Sequence, residues 1–201
     1  MKKFIDQWLD ENQRTFIDIS DKIWELAEMR FRETGSAKMI IDLLQKEGFA
    51  VESGIADIET AFVGSYGTGK PVIAFLGEYD ALAGLSQVAC SATKSPLVSG
   101  GTGHGCGHNM LGAGALAAAV AAKRAMEKQG LGGTIRFYGC PGEEGGSGKA
   151  FMARAGVFDD VDSAITWHPF GNNAVMSVAM LANFQIAYRF HGRSAHAAAS
   201  P

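Results

Sequence analysis

The chain has 201 residues, with 18 basic and 21 acidic side chains, so its formal net charge is −3. A composition of 47% hydrophobic and 19% charged residues fills a packed core and excludes a disordered chain. The mild acidic balance, with no Lys/Arg stripe, lacks the electrostatic footprint of a nucleic-acid binder. The longest small or apolar run, 110–122, is too short and too rich in alanine and glycine to span a bilayer. Asp6 interrupts what would have to be the uncharged core of a secretion signal. The expectation is a cytoplasmic globular chain that binds neither membrane nor nucleic acid. Three cysteines, Cys90, Cys106 and Cys140, are too few and odd in number for a disulfide framework, which leaves reduced thiols or a metal ligand. Glycine, 26 residues against a typical ~7% of a chain, clusters at 100–114 and 130–148, where tight loops around a site are expected.

Apolar side chains from Phe4 to Ala27 recur at helical spacing, which predicts an amphipathic helix over 4–31, interrupted near Asn12. A second helix is predicted behind Ser36 as N-cap, ending at Gly48. Strands are predicted at 49–52, 60–65 and 71–76, the last two joined by a turn at 66–70. Residues 77–108 read as a long irregular connection, usually a functional feature in a compact domain. An alanine-rich helix over 110–128 is followed by a strand at 134–138, a glycine-rich turn, a helix over 149–155 and a strand at 163–167. This alternation predicts an α/β fold with a mixed, largely parallel sheet flanked by helices. After Gly171 the pattern changes to strand-like segments at 175–180 and 183–190, read as entry into a second, α+β module.

The unusual polar residues fall on that map in one pattern. Glu78 and Asp80 follow one predicted strand; Cys140, Glu143 and Glu144 follow another, and His168 a third. Cys106 and His108 sit just before the alanine-rich helix. All lie beyond the C-terminal ends of strands or at a helix start, the edge at which open α/β sheets bind ligands. A thiolate, imidazoles and carboxylates suit zinc, and imidazole with carboxylate also accommodates manganese or cobalt. The helix start behind Cys106 is expected to favour its thiolate. Of the adjacent pair Glu143 and Glu144, one could ligate a metal while the other acts as general base.

Each residue also has a plainer reading. Paired glutamates are commonly a solvated surface, and a lone histidine after a strand is commonly a satisfied part of the core. Cys106 could be a small buried hydrophobe, or a nucleophile with His108 as base, although the latter leaves the acidic pair unexplained. Cys90 and Cys140 are read as buried structural thiols, and His104 and His191 as structural. Two nucleotide-binding lookalikes fail on context. Pro71 stands where a phosphate loop at 64–70 would need Ser or Thr, and the glycines at 112–114 lie inside a helix with no strand immediately before them.

The strings Gly-Glu-Tyr-Asp-Ala-Leu at 77–82, Gly-His-Gly-Cys-Gly-His-Asn at 103–109, Gly-Cys-Pro-Gly-Glu-Glu-Gly-Gly at 139–146, Trp-His-Pro at 167–169 and Ser-Ala-His-Ala-Ala at 194–198 occur in the order of a known family. The chain resembles, over essentially its whole length, the amidohydrolase or aminoacylase-type branch of the dinuclear metallopeptidases. Within that branch it is most similar to hydrolases of p-aminobenzoyl-glutamate. The resemblance implies that Cys106, His108, Glu144 and His168 are ligands of two divalent metal ions, manganese or zinc. It implies that Glu143 is the catalytic base, that Asp80 orients a metal ligand, and that Glu78 stands where other branches carry a metal-binding histidine. His196 is implied to contact substrate or its tetrahedral intermediate. By the same resemblance, residues 1–172 are the first part of a catalytic domain and 173–201 the beginning of a lid or dimerisation domain.

The implied reaction is hydrolysis of an amide in an N-acyl amino acid or small peptide-like substrate, with p-aminobenzoyl-glutamate the first candidate. The implied partners are that small-molecule substrate and a second subunit, in a homodimer or a heterodimer with a related chain. Family members are longer and place a last histidine ligand beyond the equivalent of residue 201. The chain is therefore expected to be a fragment, and the alternative reading is an inactive fragment or a non-catalytic partner subunit.

Overall fold

The computed structural model describes every residue except 178, 180, 185, 197, 200 and 201. The chain separates into two units, Met1–Gly171 and Asn172–Pro201.

Helix α1 (Lys2–Leu26) is continuous. The break expected near Asn12 does not occur, because the Asn12 amide donates to the Trp8 carbonyl one turn earlier, at 2.8 Å, and stays within the helix. Ala27 ends α1 in the left-handed conformation. Helix α2 (Thr34–Lys46) begins two residues before the expected cap, and Ser36 is buried inside it. The open N–H groups of its first turn are met from upstream: the Glu28 carboxylate accepts from Gly35 N–H at 2.9 Å and Ser36 N–H at 2.8 Å, and from the Ser36 hydroxyl. A carboxylate at a helix start satisfies both the orphan donors and the helix dipole.

Five strands follow, β1 (Ala50–Ser53), β2 (Phe62–Thr68), β3 (Val72–Gly77), β4 (Gly133–Gly139) and β5 (Ser163–Ile165), in the spatial order β1-β2-β4-β3-β5. The sheet is mixed and open. β3 runs parallel to β4 and β5, whereas β1–β2 and β2–β4 are antiparallel. Helix α3 (His108–Gln129) links β3 to β4, and the short α4 (Glu143–Gly146) and α5 (Gly148–Arg154) link β4 to β5.

Alternation along the strands sends side chains to two faces. On one face Phe137 and Ile135 pack with Ile23 of α1, Ile40 and Leu44 of α2, and Leu116 and Val120 of α3. On the other, Ala74, Tyr138 and Cys140 pack with Ile55 and Met152. Phe62 is fully buried and stacks between Tyr79 and Phe137, with ring centroids 6.1 and 5.9 Å away. Helix α3 approaches β3 closely because Gly112 has no side chain: a Cβ there would stand 2.5 Å from the Glu78 carbonyl oxygen. Gly114 likewise lies against the Trp167 indole. The glycines that imitate a dinucleotide fingerprint are packing residues.

Among the described residues of 172–201 none lies in a helix or strand. The strands expected at 175–180 and 183–190 include three residues outside the described set. The remainder pairs with no other segment, and a strand is defined by its ladder. No helix among the described residues is long and apolar enough to cross a membrane.

Replacing Phe62 by Ala removes the ring stacked between Tyr79 and Phe137. The expected cost is about 3–5 kcal/mol of unfolding free energy, read by urea denaturation followed by circular dichroism. A loss below about 1 kcal/mol would show that the neighbouring rings close the gap.

Candidate metal centre

Beyond the end of β3, Glu78 and Asp80 point one way and Tyr79 the other, where its hydroxyl donates to the Thr60 carbonyl at 2.6 Å. Asp80 is 1% exposed, and both of its oxygens are occupied. Oδ1 accepts from His108 Nδ1 at 2.9 Å, and Oδ2 accepts from the backbone N–H of Glu144 at 2.8 Å. Burial works against the charge of Asp80, but the His108 and Glu144 hydrogen bonds outweigh it and hold the pKa below its ordinary value.

His108, the first residue of α3, is 0% exposed. Burial opposes a charge on this ring, but the Asp80 hydrogen bond and the charges of Glu78 and Glu144 outweigh it and hold the His108 pKa above its ordinary value. In its neutral form, with Nδ1–H given to Asp80, the ring presents a lone pair at Nε2. That atom is buried and has no hydrogen-bond partner, although Glu78 Oε2 lies 3.0 Å away and Glu143 Oε2 3.8 Å away. A buried lone pair facing carboxylate oxygens is unfavourable unless a positive charge stands among them. The donor set therefore fits a cation, and two groups qualify by distance: Cys106, His108 and His168, and Glu78, His108 and Glu143.

His168, three residues past β5, turns Nδ1 to the Pro169 carbonyl at 2.9 Å and Nε2 to Cys106 Sγ at 3.3 Å. Its ring meets that of His108 edge to face, with centroids 5.8 Å apart. Burial comes first, followed by the carboxylates of Glu144, Glu143 and Glu78, in pushing the Cys106 thiol up to about 11. This direction is opposite to the one expected from the helix start, because burial and then the acids around the thiol disfavour its charged form. Glu143 is raised as well, by burial and then by Glu78 and Glu144.

Helix α4 is a turn more than a helix. Glu144 (φ −68°, ψ 96°) and Gly145 (φ 67°) leave helical geometry inside it. The break lets the adjacent glutamates serve different neighbours, Glu143 facing His108 and Glu144 lying beside the Cys106 thiol. This turn is buttressed by the segment between α1 and α2. The fully buried Glu33 accepts from Gly142 N–H at 2.8 Å and from the Thr60 hydroxyl at 2.9 Å. The Arg30 guanidinium donates to the Glu144 carbonyl at 3.3 Å. The Phe31 ring fills the space where a Cβ on Gly142 would sit, 2.6 Å from the nearest ring atom.

The structure thus brings together Glu78, Asp80, Cys106, His108, Glu143, Glu144 and His168. His196 belongs to the unit Asn172–Pro201, where it is exposed. Cys140 is fully buried as expected, but Cys90 is exposed, because the irregular loop that carries it places no core residue at that position. Glu33 and Lys149, which pairs with Glu78, do not stand out in the sequence. Their partners lie far along the chain, and no local pattern marks them.

The sequence profile of Peptidase family M20/M25/M40 matches residues 74–199. The chain is 53% identical over 199 residues to one of the subunits of p-aminobenzoyl-glutamate hydrolase of Escherichia coli (strain K12), covering 99% of this chain and 41% of the relative. Among solved structures, an aminobenzoyl-glutamate utilization protein from Klebsiella pneumoniae superposes with a TM-score of 0.58 at 22% identity, covering 81% of this chain and 45% of that one. A dinuclear metal-binding peptidase from Bacillus subtilis superposes with a TM-score of 0.57 at 24% identity, covering 76% and 42%. These two likenesses establish the fold. The chain spans less than half the length of each of these three proteins.

Replacing Asp80 by Ala releases the His108 ring and the Glu144 amide together. Affinity for Zn²⁺ or Mn²⁺, measured by calorimetric titration, is expected to fall about 10–100-fold. Unchanged affinity would show that the ring is oriented by packing alone.

Proposed function

The chain belongs to peptidase family M20/M25/M40, and from that membership we propose that it carries the metal centre of a hydrolase cleaving the amide bond of N-acyl amino acids or small peptide-like substrates. The observation that carries the reading is His108 Nε2, buried, without a hydrogen bond and facing carboxylates, while its other nitrogen is fixed by Asp80. This is the arrangement of a histidine oriented by a carboxylate for a metal. Cys106, His108, Glu144 and His168 would hold two divalent ions, manganese or zinc. The chemistry such ions supply when bound is Lewis acidity, toward a water and toward the amide carbonyl.

The remaining roles belong to the side chains. Glu143 accepts the proton of the attacking water at a carboxylate oxygen and returns it to the leaving amine nitrogen. Its raised pKa, caused by burial and by Glu78 and Glu144, suits a group that must both take and give that proton. Asp80 keeps the proton of His108 on Nδ1 and so keeps Nε2 available as a donor atom. His196 is assigned to the oxyanion that develops on the carbonyl. A nucleophilic Cys106 is disfavoured, since burial and then the acids around it push the thiol up to about 11 and deplete the thiolate that such chemistry needs.

The substrate proposed first is p-aminobenzoyl-glutamate, supported by the 53% identity to one chain of its Escherichia coli hydrolase. That relative's designation as a subunit supports assembly with a related chain as the proposed quaternary state, with a homodimer as the alternative. The three free thiols are in keeping with a cytoplasmic location.

In the enzyme assembled with any further chain it requires, Glu143→Ala is expected to lower hydrolysis of p-aminobenzoyl-glutamate by about 10²–10⁴-fold. Metal content, read by elemental mass spectrometry, should stay near that of the wild type. Joint loss of metal and turnover would move Glu143 from base to ligand. Cys106→Ala should deplete the bound metal, and activity removed by a chelator should return with Mn²⁺ or Zn²⁺. Activity indifferent to chelation but abolished by thiol alkylation would replace this reading with the cysteine one.

A further inference from the structure

We propose that Glu78 is an additional ligand of the cation held by His108, and that Lys149 keeps it monodentate. The inference rests on the metal-binding reading above and deepens it. Glu78 is 7% exposed, and its two oxygens have different partners. Oε1 takes the ammonium of Lys149, which reaches across from α5. Oε2 is left to face His108 Nε2 at 3.0 Å.

That contact is not an aligned hydrogen bond, and Nε2 has no other hydrogen-bond partner. Its spacing is informative in another way. A histidine nitrogen and a carboxylate oxygen, each about 2.1 Å from one ion and adjacent in its coordination sphere, stand about 3.0–3.4 Å apart. The Glu78–His108 distance falls in that range, whereas Glu143 Oε2, at 3.8 Å from the same nitrogen, lies outside it. With Lys149 on one oxygen, the carboxylate can offer the ion only the other.

The two members of the pair predict opposite effects, and this is what tests the idea. Zn²⁺ and Mn²⁺ affinities and stoichiometry are measured by calorimetric titration and elemental mass spectrometry on the full chain, with Mn²⁺ paramagnetic resonance as a spectroscopic check of the bound ion. Glu78→Gln, which keeps the shape and removes the charge, is expected to weaken one ion by at least about tenfold and to change the Mn²⁺ spectrum. Lys149→Met removes a competing cation and frees Oε1, so affinity should be raised. Equal losses in both variants would show a structural ion pair and overturn the assignment, as would wild-type affinity in Glu78→Gln. Should Glu78→Gln fail to fold, Lys149→Met still decides: raised affinity supports the assignment, and unchanged or lowered affinity overturns it. If Cys106→Ala loses metal while Glu78→Gln keeps it, only the role of Glu78 falls. If the protein takes up no metal at all even when assembled with any further chain it requires, this inference and the hydrolase reading fall together.

Discussion

The arrangement at the sheet edge depends on one buried carboxylate. Asp80 uses one oxygen to fix the His108 ring at the start of α3, and the other to fix the backbone of Glu144 beyond β4. Three segments far apart in the chain are thereby set against each other by a single side chain. The parallel pairing of β3 and β4, with Gly77 opposite Gly139, makes this possible by ending both strands at the same level. Gly112 completes the arrangement by letting α3 come down onto the Glu78 carbonyl. Backbone geometry brings the groups near one another, and Asp80 settles their orientation.

The electrostatic character of the site follows from the same convergence. Glu78, Asp80, Glu143 and Glu144 meet around a histidine whose outward nitrogen has no hydrogen bond, and the Lys149 ammonium is tied to Glu78. Burial, and after it this concentration of acid, raises the thiol of Cys106 and the carboxyl of Glu143. Folding it into a partly buried place is unfavourable for the protein alone. A set of acids held this close to a histidine nitrogen and a thiol has the donor chemistry that fits a multivalent cation.

Much of this is legible in the sequence, and for a physical reason. Residues that follow strands or open helices can be placed from hydrophobic periodicity alone, and every polar residue singled out between 78 and 168 for metal chemistry lies in the cluster. The supporting residues are not legible. Glu33 reads as one more charged residue between two helices, yet it is fully buried because Gly142, 109 residues later, donates to it. Ser36 looks like a helix cap, but Glu28 performs that service from outside the helix. Cys90 is expected inside because cysteine commonly is, and the irregular loop leaves it exposed. Local pattern reports which face of an element is apolar. It does not report which distant donor a buried carboxylate will find.

The buttress formed by Arg30, Phe31 and Glu33 has a consequence for how the molecule breathes. The amides of Gly142 and Glu144 are bound by side chains, Glu33 and Asp80, and take no part in a strand ladder. Protection of the Gly142 amide from solvent exchange is therefore tied to the docking of the segment between α1 and α2, and that of the Glu144 amide to Asp80 at the end of β3. Regions that open together form one cooperative unit even when they are remote in sequence. Loosening of the segment between the first two helices is thus expected to be felt at Gly142, at the entrance of the acidic turn, before the sheet edge itself gives way.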